Sequence, residues 1–211
     1  MFGQKSSWPA IEHEQIVQRA RILVIDDGEF PYLKLFKRDG YNIEKWNDVK
    51  DLTRLEAGNF DVILLDLLGV GRSESADEGF GVLKHIRTAK PAQIVVAYSN
   101  AEWPVKYQPF FEMADAVLPK TGDYVEFKRT VDDLLQQRFA LGFYLSRVND
   151  ELGEQAASVP KATAKAQKAL VTRKIGPLHK YLERHLDDQV TIDRVLAIVQ
   201  IGISAAQLWK S

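Results

Sequence analysis

The chain has 211 residues, 45% of them apolar and 27% charged, with a formal net charge of −1 and no cysteine. That length holds one packed domain with an appendage or two small domains, and the composition excludes disordered and collagen-like classes. Without cysteine there are no disulfides and no thiolate metal sites, which removes the secreted disulfide scaffold as a class.

The start, MFGQKSSWPAIEHEQ, has no apolar core of signal-peptide length, and no uninterrupted apolar run reaches membrane-spanning length. A cytoplasmic protein without a membrane span is expected, and residues 1–19 read as an N-terminal segment. From residue 21 short apolar runs alternate with helical periodicity. RILVI (21–25) is strand-like. FPYLKLFKRDG follows as a helix, with Pro31 near its start and Gly40 as its stop. YNIEKW (41–46) alternates apolar and polar residues like an outer strand, and VKDLTRLEAGN is an amphipathic helix ending near Gly58. DVILL (61–65) and QIVVAY (93–98) are continuous apolar runs bracketing the helix DEGFGVLKHIRTAK. ADAVL (114–118) is a short last strand. Fully apolar strands alternating with helices predict an α/β domain over 20–137, a five-stranded parallel sheet covered on both faces.

Beyond Lys120 apolar residues keep helical spacing from Val125 to Val148, which predicts one helix of unusual length continuing past the domain. EQAASVPKA reads as a linker. A basic helix follows, broken at Gly176-Pro177. VTIDRVLAIVQIGISAAQLWK closes the chain, apolar nearly all round. Such a helix has to be buried, and a tail of this size has little core of its own. Residues 138–211 therefore read as a helical extension, packed back on the domain or forming a homodimer interface. Charge divides the same way. Residues 161–211 carry nine Lys/Arg against four Asp/Glu, a net +5, which leaves nineteen against twenty-five, a net −6, in the first 160. The basic tail leaves nucleic-acid binding possible but not favoured, since no helix-turn-helix pattern or aromatic interleaving accompanies it. His179 and His185 read as surface or interface histidines.

Sites in open parallel sheets form at the carboxyl ends of the strands. Those ends supply Asp26 and Asp27, then Asp66, then Ser99, then Lys120. Clustered carboxylates disfavour one another's ionisation unless a cation joins them, and hard oxygen ligands suit Mg²⁺. A lysine and a hydroxyl match the remaining oxygens of a phosphoryl group, and an aspartate can be a nucleophile toward phosphorus. An ordinary loop carboxylate at Asp66, and a helix N-cap at Asp26 or Asp27, are the plainer readings of the same residues.

The pieces "ILVIDD", "DVILLD", "VVAYS" and "AVLPK", in that order and each on a predicted strand, resemble the receiver domain of two-component response regulators. The resemblance covers residues 20 to about 137 and implies a doubly wound, flavodoxin-like sheet. It further implies that Asp66 is a Mg²⁺-dependent phosphoacceptor, with Ser99 and Lys120 contacting the phosphoryl group. Asp26, Asp27, Asp66 and the backbone carbonyl of Leu68 would hold the metal. A histidine kinase or phosphotransfer protein would be the donor, and the output would be altered partner binding or dimer arrangement rather than enzymatic catalysis. A phosphorylation-independent scaffolding module on the same fold is the alternative. It is motivated by the long "LLGVGRSESADEG" after Asp66, by Thr121 where proline is common, and by Val117 where an aromatic switch residue is usual. A haloacid-dehalogenase enzyme would need an aspartate two residues after the first, but Gly28 follows Asp26-Asp27. A dinucleotide-binding enzyme would need Gly-x-Gly-x-x-Gly after the first strand, which is absent.

Overall fold

A computed structural model describes residue 8 and residues 11–49, 51–99 and 108–208. It divides into two compact units, Glu12–Arg138 and the part from Phe139 onward together with the chain start.

The first unit is built on five strands, β1 (Arg21–Ile25), β2 (Asn42–Trp46), β3 (Val62–Asp66), β4 (Ile94–Ser99) and β5 (Ala116–Pro119), all parallel in the order β2-β1-β3-β4-β5. This is the flavodoxin-like order, in which the switch point lies between β1 and β3. Helices α1 (His13–Arg19), α2 (Leu33–Arg38), α3 (Leu52–Ala57), α4 (Gly79–Ala89), α5 (Gln108–Phe111) and α6 (Tyr124–Arg138) surround the sheet. β3 and β4 are buried along their whole length, because both faces are covered. The two-residue period then sorts their side chains. Leu23, Ile25, Ile63, Leu65, Val95 and Ala97 pack into one core cluster with Leu55 of α3 and with Phe80, Leu83 and Ile86 of α4. On the opposite face Tyr98 meets Phe30 and Phe127, and Phe30 stacks on Phe36. Asp51 caps α3, its carboxylate accepting from the Thr53 and Arg54 amides.

The single long helix predicted beyond Lys120 is two helices. α6 ends at Arg138, Ala140 is extended (φ −90°, ψ 139°), and α7 (Leu141–Leu152) begins anew. The apolar period runs through the break, so spacing alone does not reveal it. Residues 12–19, expected as part of a plain N-terminal segment, contain α1, whose Ile16 and Val17 are buried within the first unit.

The second unit also departs from expectation, because it has a core of its own. α7, a 3₁₀ turn (Gly153–Ala157), α8 (Ala162–Thr172), α9 (Gly176–Leu182) and α10 (Gln189–Leu208) bury Tyr144, Val148, Leu152, Leu170, Leu178 and Leu182 with Val195, Ile198, Val199 and Ile203. Splitting off α7 supplies the partner surface that the tail alone lacks. A Cβ on Gly202 would stand 2.9 Å from the Tyr144 ring, so α7 and α10 approach closely only because that position is glycine. Trp8 Nε1 donates to the Phe139 carbonyl at 2.7 Å. The predicted break falls as expected. Arg173 adopts a left-handed φ of 61°, and Pro177 sits in the first turn of α9. Among the described residues α10 is the one helix long and apolar enough to cross a membrane, and half of its apolar stretch is buried inside this unit. The part of the closing helix expected at residues 209–210 lies outside the described residues.

Candidate functional site

Four of the five strands deliver their predicted residues to the carboxyl edge of the sheet. Asp26 directly follows β1, Asp66 is the last residue of β3, Ser99 the last of β4, and Lys120 follows β5. Parallel strands in register carry these ends to one edge. Asp66 pairs across the ladder with Tyr98, and Ser99 with Pro119.

Carboxylate oxygens of Asp26, Asp27 and Asp66 all lie within 4.8 Å of one another. Asp26 and Asp66 are almost fully buried, at 1% and 2% exposure, whereas Asp27 is exposed. Two buried carboxylates so close require a counter-charge. Lys120 supplies it, with Nζ 2.6 Å from Asp66 Oδ2 and 3.2 Å from Asp26 Oδ2. Burial pushes the Asp66 carboxyl above the ordinary carboxylate range, against the pull of the Lys120 hydrogen bond and the Leu68 amide. For Lys120, burial acts to lower the pKa, but the bond and charge of Asp66 outweigh it and hold the ammonium above its usual range.

The donor set fits a hard divalent cation. It consists of oxygen ligands, three carboxylates on one site, with one of them open to solvent. Asp26, Asp27 and Asp66 together have the placement to hold such an ion. The Leu68 amide donates to Asp66 Oδ1 at 3.2 Å, which puts this residue at the rim of the pocket. Ser99 is 3% exposed, and its carbonyl accepts from the Lys120 amide at 2.9 Å. Among the described residues its hydroxyl bonds neither Asp66 nor Lys120.

The segment after Asp66 folds into a tied loop. Gly69 (φ 90°) lies against Asp27, where a Cβ would stand 2.6 Å from the carboxyl carbon. The Gly69 amide donates to Glu78 Oε2 at 2.5 Å, Arg72 Nε to Glu78 Oε1 at 3.1 Å, and the Gly71 amide to Asp48 Oδ1 at 2.6 Å. Glu78 itself adopts a left-handed φ of 53°, uncommon for a residue with a Cβ. At the head of α4, Gly79 packs on the Asp66 backbone, and a Cβ there would overlap the Asp66 carbonyl and reach 2.7 Å from Leu67 Cα. Because both neighbours are backbone, Gly79→Ala is expected to cost about 1–3 kcal/mol and to displace the strand end that carries Asp66. Urea unfolding measures the loss, and an unchanged midpoint counts against the close approach.

Three participants were not singled out by sequence reasoning. Tyr98, buried in β4, donates its hydroxyl to Asp26 Oδ2 at 2.8 Å, and Lys120 Nζ lies 5.5 Å from its ring centre. Burial, then the negative charge of Asp26, raise the Tyr98 pKa far above the ordinary phenol range, so it remains a donor. The Gly28 amide donates to Asp26 Oδ1 at 2.8 Å, and Lys45 Nζ to the Asp26 carbonyl at 2.6 Å. The available signal for Tyr98 was chemical: a phenol inside an otherwise apolar buried strand has to find a partner.

No protein-family model matches the chain, and no curated protein matches it. Solved structures do. A CheY-like response regulator receiver domain protein from Methanospirillum hungatei is 20% identical, covering 56% of this chain and 95% of that one, with a TM-score of 0.47. The response regulator TrrA from Thermotoga maritima, in complex with Mg²⁺ and beryllium fluoride, is 23% identical over 55% of this chain and 98% of that one, with a TM-score of 0.44. NtrX from Brucella abortus, in complex with ATP, is 17% identical over 72% of this chain and 34% of that one, with a TM-score of 0.47. The five-stranded parallel sheet in the order β2-β1-β3-β4-β5, with helices flanking it, is a flavodoxin-like doubly wound fold, followed here by further helices.

Proposed function

We propose that the chain is a phosphoacceptor signalling protein whose switch is Asp66. The observation that carries this reading is the meeting of three carboxylates within 4.8 Å at the carboxyl ends of β1 and β3, with Lys120 joining Asp66 to Asp26. A carboxylate oxygen of Asp66 would attack phosphorus in a phosphohistidine donor. The P–N bond breaks, the imidazole nitrogen keeps the electron pair and takes a proton, and an acyl phosphate remains on Asp66. Bound Mg²⁺ would neutralise the clustered carboxylates and the incoming phosphoryl oxygens. Lys120 would move its charge onto the phosphoryl group, and Ser99 would turn its hydroxyl toward it. The added charge of about −1.5 to −2 at a buried strand end would favour a rearranged pocket, and altered partner binding or pairing of two chains through the helical unit would be the output. A histidine kinase or phosphotransfer protein is the corresponding donor. The chain itself would act by binding rather than by turnover.

Two observations favour a second reading, a phosphorylation-independent interaction module. Lys120 already serves as the pocket's cation, and the loop over Asp27 is tied down by Glu78 and Asp48. Incubation with Mg²⁺ and a small phosphodonor, read by intact mass, separates the two. The first reading expects one phosphoryl group on the wild type and none on Asp66→Asn. A folded wild type that gains no phosphoryl mass, indistinguishable from Asp66→Asn, establishes the second.

A further inference from the structure

We propose that Tyr98 is a positioning residue of the acidic pocket: its buried hydroxyl pins the Asp26 carboxylate into the strand-end network and withholds it from the inner shell of a bound divalent cation. The inference rests on the reading of this pocket as a cation site, and it assigns unequal roles to the three aspartates.

The geometry that points there is the engagement of Asp26. Oδ2 accepts from the Tyr98 hydroxyl at 2.8 Å, and Oδ1 accepts from the Gly28 amide at 2.8 Å. Lys120 Nζ approaches both oxygens, at 3.2 Å and 3.4 Å. A carboxylate offers about four lone-pair positions, so the four contacts use all of them. Lys120 sits on a flexible stem and can yield to an incoming ion. The other two donors cannot. Gly28 donates from backbone, and the Tyr98 ring is held between Phe30 (5.8 Å between centroids) and Phe127 (5.9 Å) at 1% exposure. Turning Asp26 toward an ion would leave the phenol hydroxyl unpartnered among aromatic rings, which the interior disfavours. Asp27 carries no such restraint from burial, being exposed, and Asp66 turns both oxygens to donors that belong to the pocket rim or to Lys120. The cation is therefore held by Asp27 and Asp66, with Asp26 acting as the fixed anchor that places Lys120.

Mn²⁺ is the probe, because water-proton relaxation counts the waters coordinated to it while a titration gives affinity. Tyr98→Phe keeps the ring and removes only the hydroxyl. Freed from its donor, Asp26 is expected to enter the inner shell, so that Mn²⁺ binds roughly threefold to tenfold tighter and carries one coordinated water fewer. A purely structural tyrosine would change stability and leave the hydration of the ion alone. In an Asp26→Asn background the same substitution should have no further effect on either quantity. Asp26→Asn alone should keep the wild-type water count, which tests the inference even if Tyr98→Phe does not fold. A folded Tyr98→Phe with unchanged affinity and hydration, or an Asp26→Asn protein that gains a coordinated water, overturns the role of Tyr98 and leaves the cation site standing. Wild-type protein that binds no Mn²⁺ overturns the cation reading, and this inference with it.

Discussion

Arg87→Met is expected to lower the unfolding free energy of the first unit by about 3–5 kcal/mol, a large fraction of the roughly 5–15 kcal/mol typical of a domain. The guanidinium is an internal staple. Nη2 donates to Asp115 Oδ2 at 2.6 Å, Nη1 to the Gln93 carbonyl and Nε to the Met113 carbonyl. It thereby joins the last turn of α4 to the segments that enter β4 and β5. Both side chains of the ion pair are nearly buried, at 12% and 9% exposure. Methionine replaces the stem but leaves the Asp115 carboxylate charged, buried and held only by its remaining donors, among them the Val95 amide at 2.8 Å. The penalty comes from that stranded charge more than from the lost attraction. Adding Asp115→Asn should therefore recover part of the loss, since the double variant strands no charge and the two effects are not additive. Urea unfolding at constant slope measures both. A loss for Arg87→Met below about 1 kcal/mol would place the pair with weak surface bridges instead.

The sheet was legible because its strands are buried on both faces. Continuous runs such as 61–65 and 93–98 leave little alternative to parallel central strands, and the site followed from where those runs stop. Asp26, Asp66, Ser99 and Lys120 lie at the strand ends where their order in sequence puts them. What escaped was information held in the third dimension. The α6–α7 break has no proline, and Phe139 and Phe143 continue the apolar period across it, although Ala140 between the two helices is extended. With α7 merged into α6, the tail seemed to lack a core that Tyr144, Val148 and Leu152 in fact supply. Tyr98 escaped because periodicity reads it as one more core aromatic. Only its distance to Asp26, a residue 72 positions earlier, shows that the hydroxyl belongs to the pocket. The loop after Asp66 announced itself as unusual by composition, but its conformation depends on Gly69, Gly71 and Glu78 adopting positive φ and on partners as distant as Asp48.

Lys120→Met should produce two effects of opposite sign, and the pair of signs is the test. In the structure Lys120 is the cation of the acidic pocket, bonded to Asp66 at 2.6 Å and to Asp26 at 3.2 Å. Charges about 4 Å apart interact by roughly 4 kcal/mol at an effective dielectric constant of about 20, before the cost of desolvation. The lysine side chain is 21% exposed, so solvent takes back a good part of that. Without divalent ions the variant is therefore expected to lose about 1–3 kcal/mol of stability. Saturating Mg²⁺ should narrow the gap, because an ion that binds only the folded pocket stabilises it by mass action. With the competing ammonium gone, Mg²⁺ should bind roughly tenfold tighter than to wild type. Phosphoryl uptake on Asp66 should nevertheless fall, on the order of 10²-fold, because a positioned cation for the developing phosphoryl charge has been removed. Thermal unfolding with and without Mg²⁺, an Mg²⁺ titration and the rate of phosphoryl mass gain read the three quantities separately. Weaker Mg²⁺ binding in the variant would show that Lys120 organises the carboxylates for the ion instead of competing with it. Undiminished uptake would show that the phosphoryl charge is met by other groups.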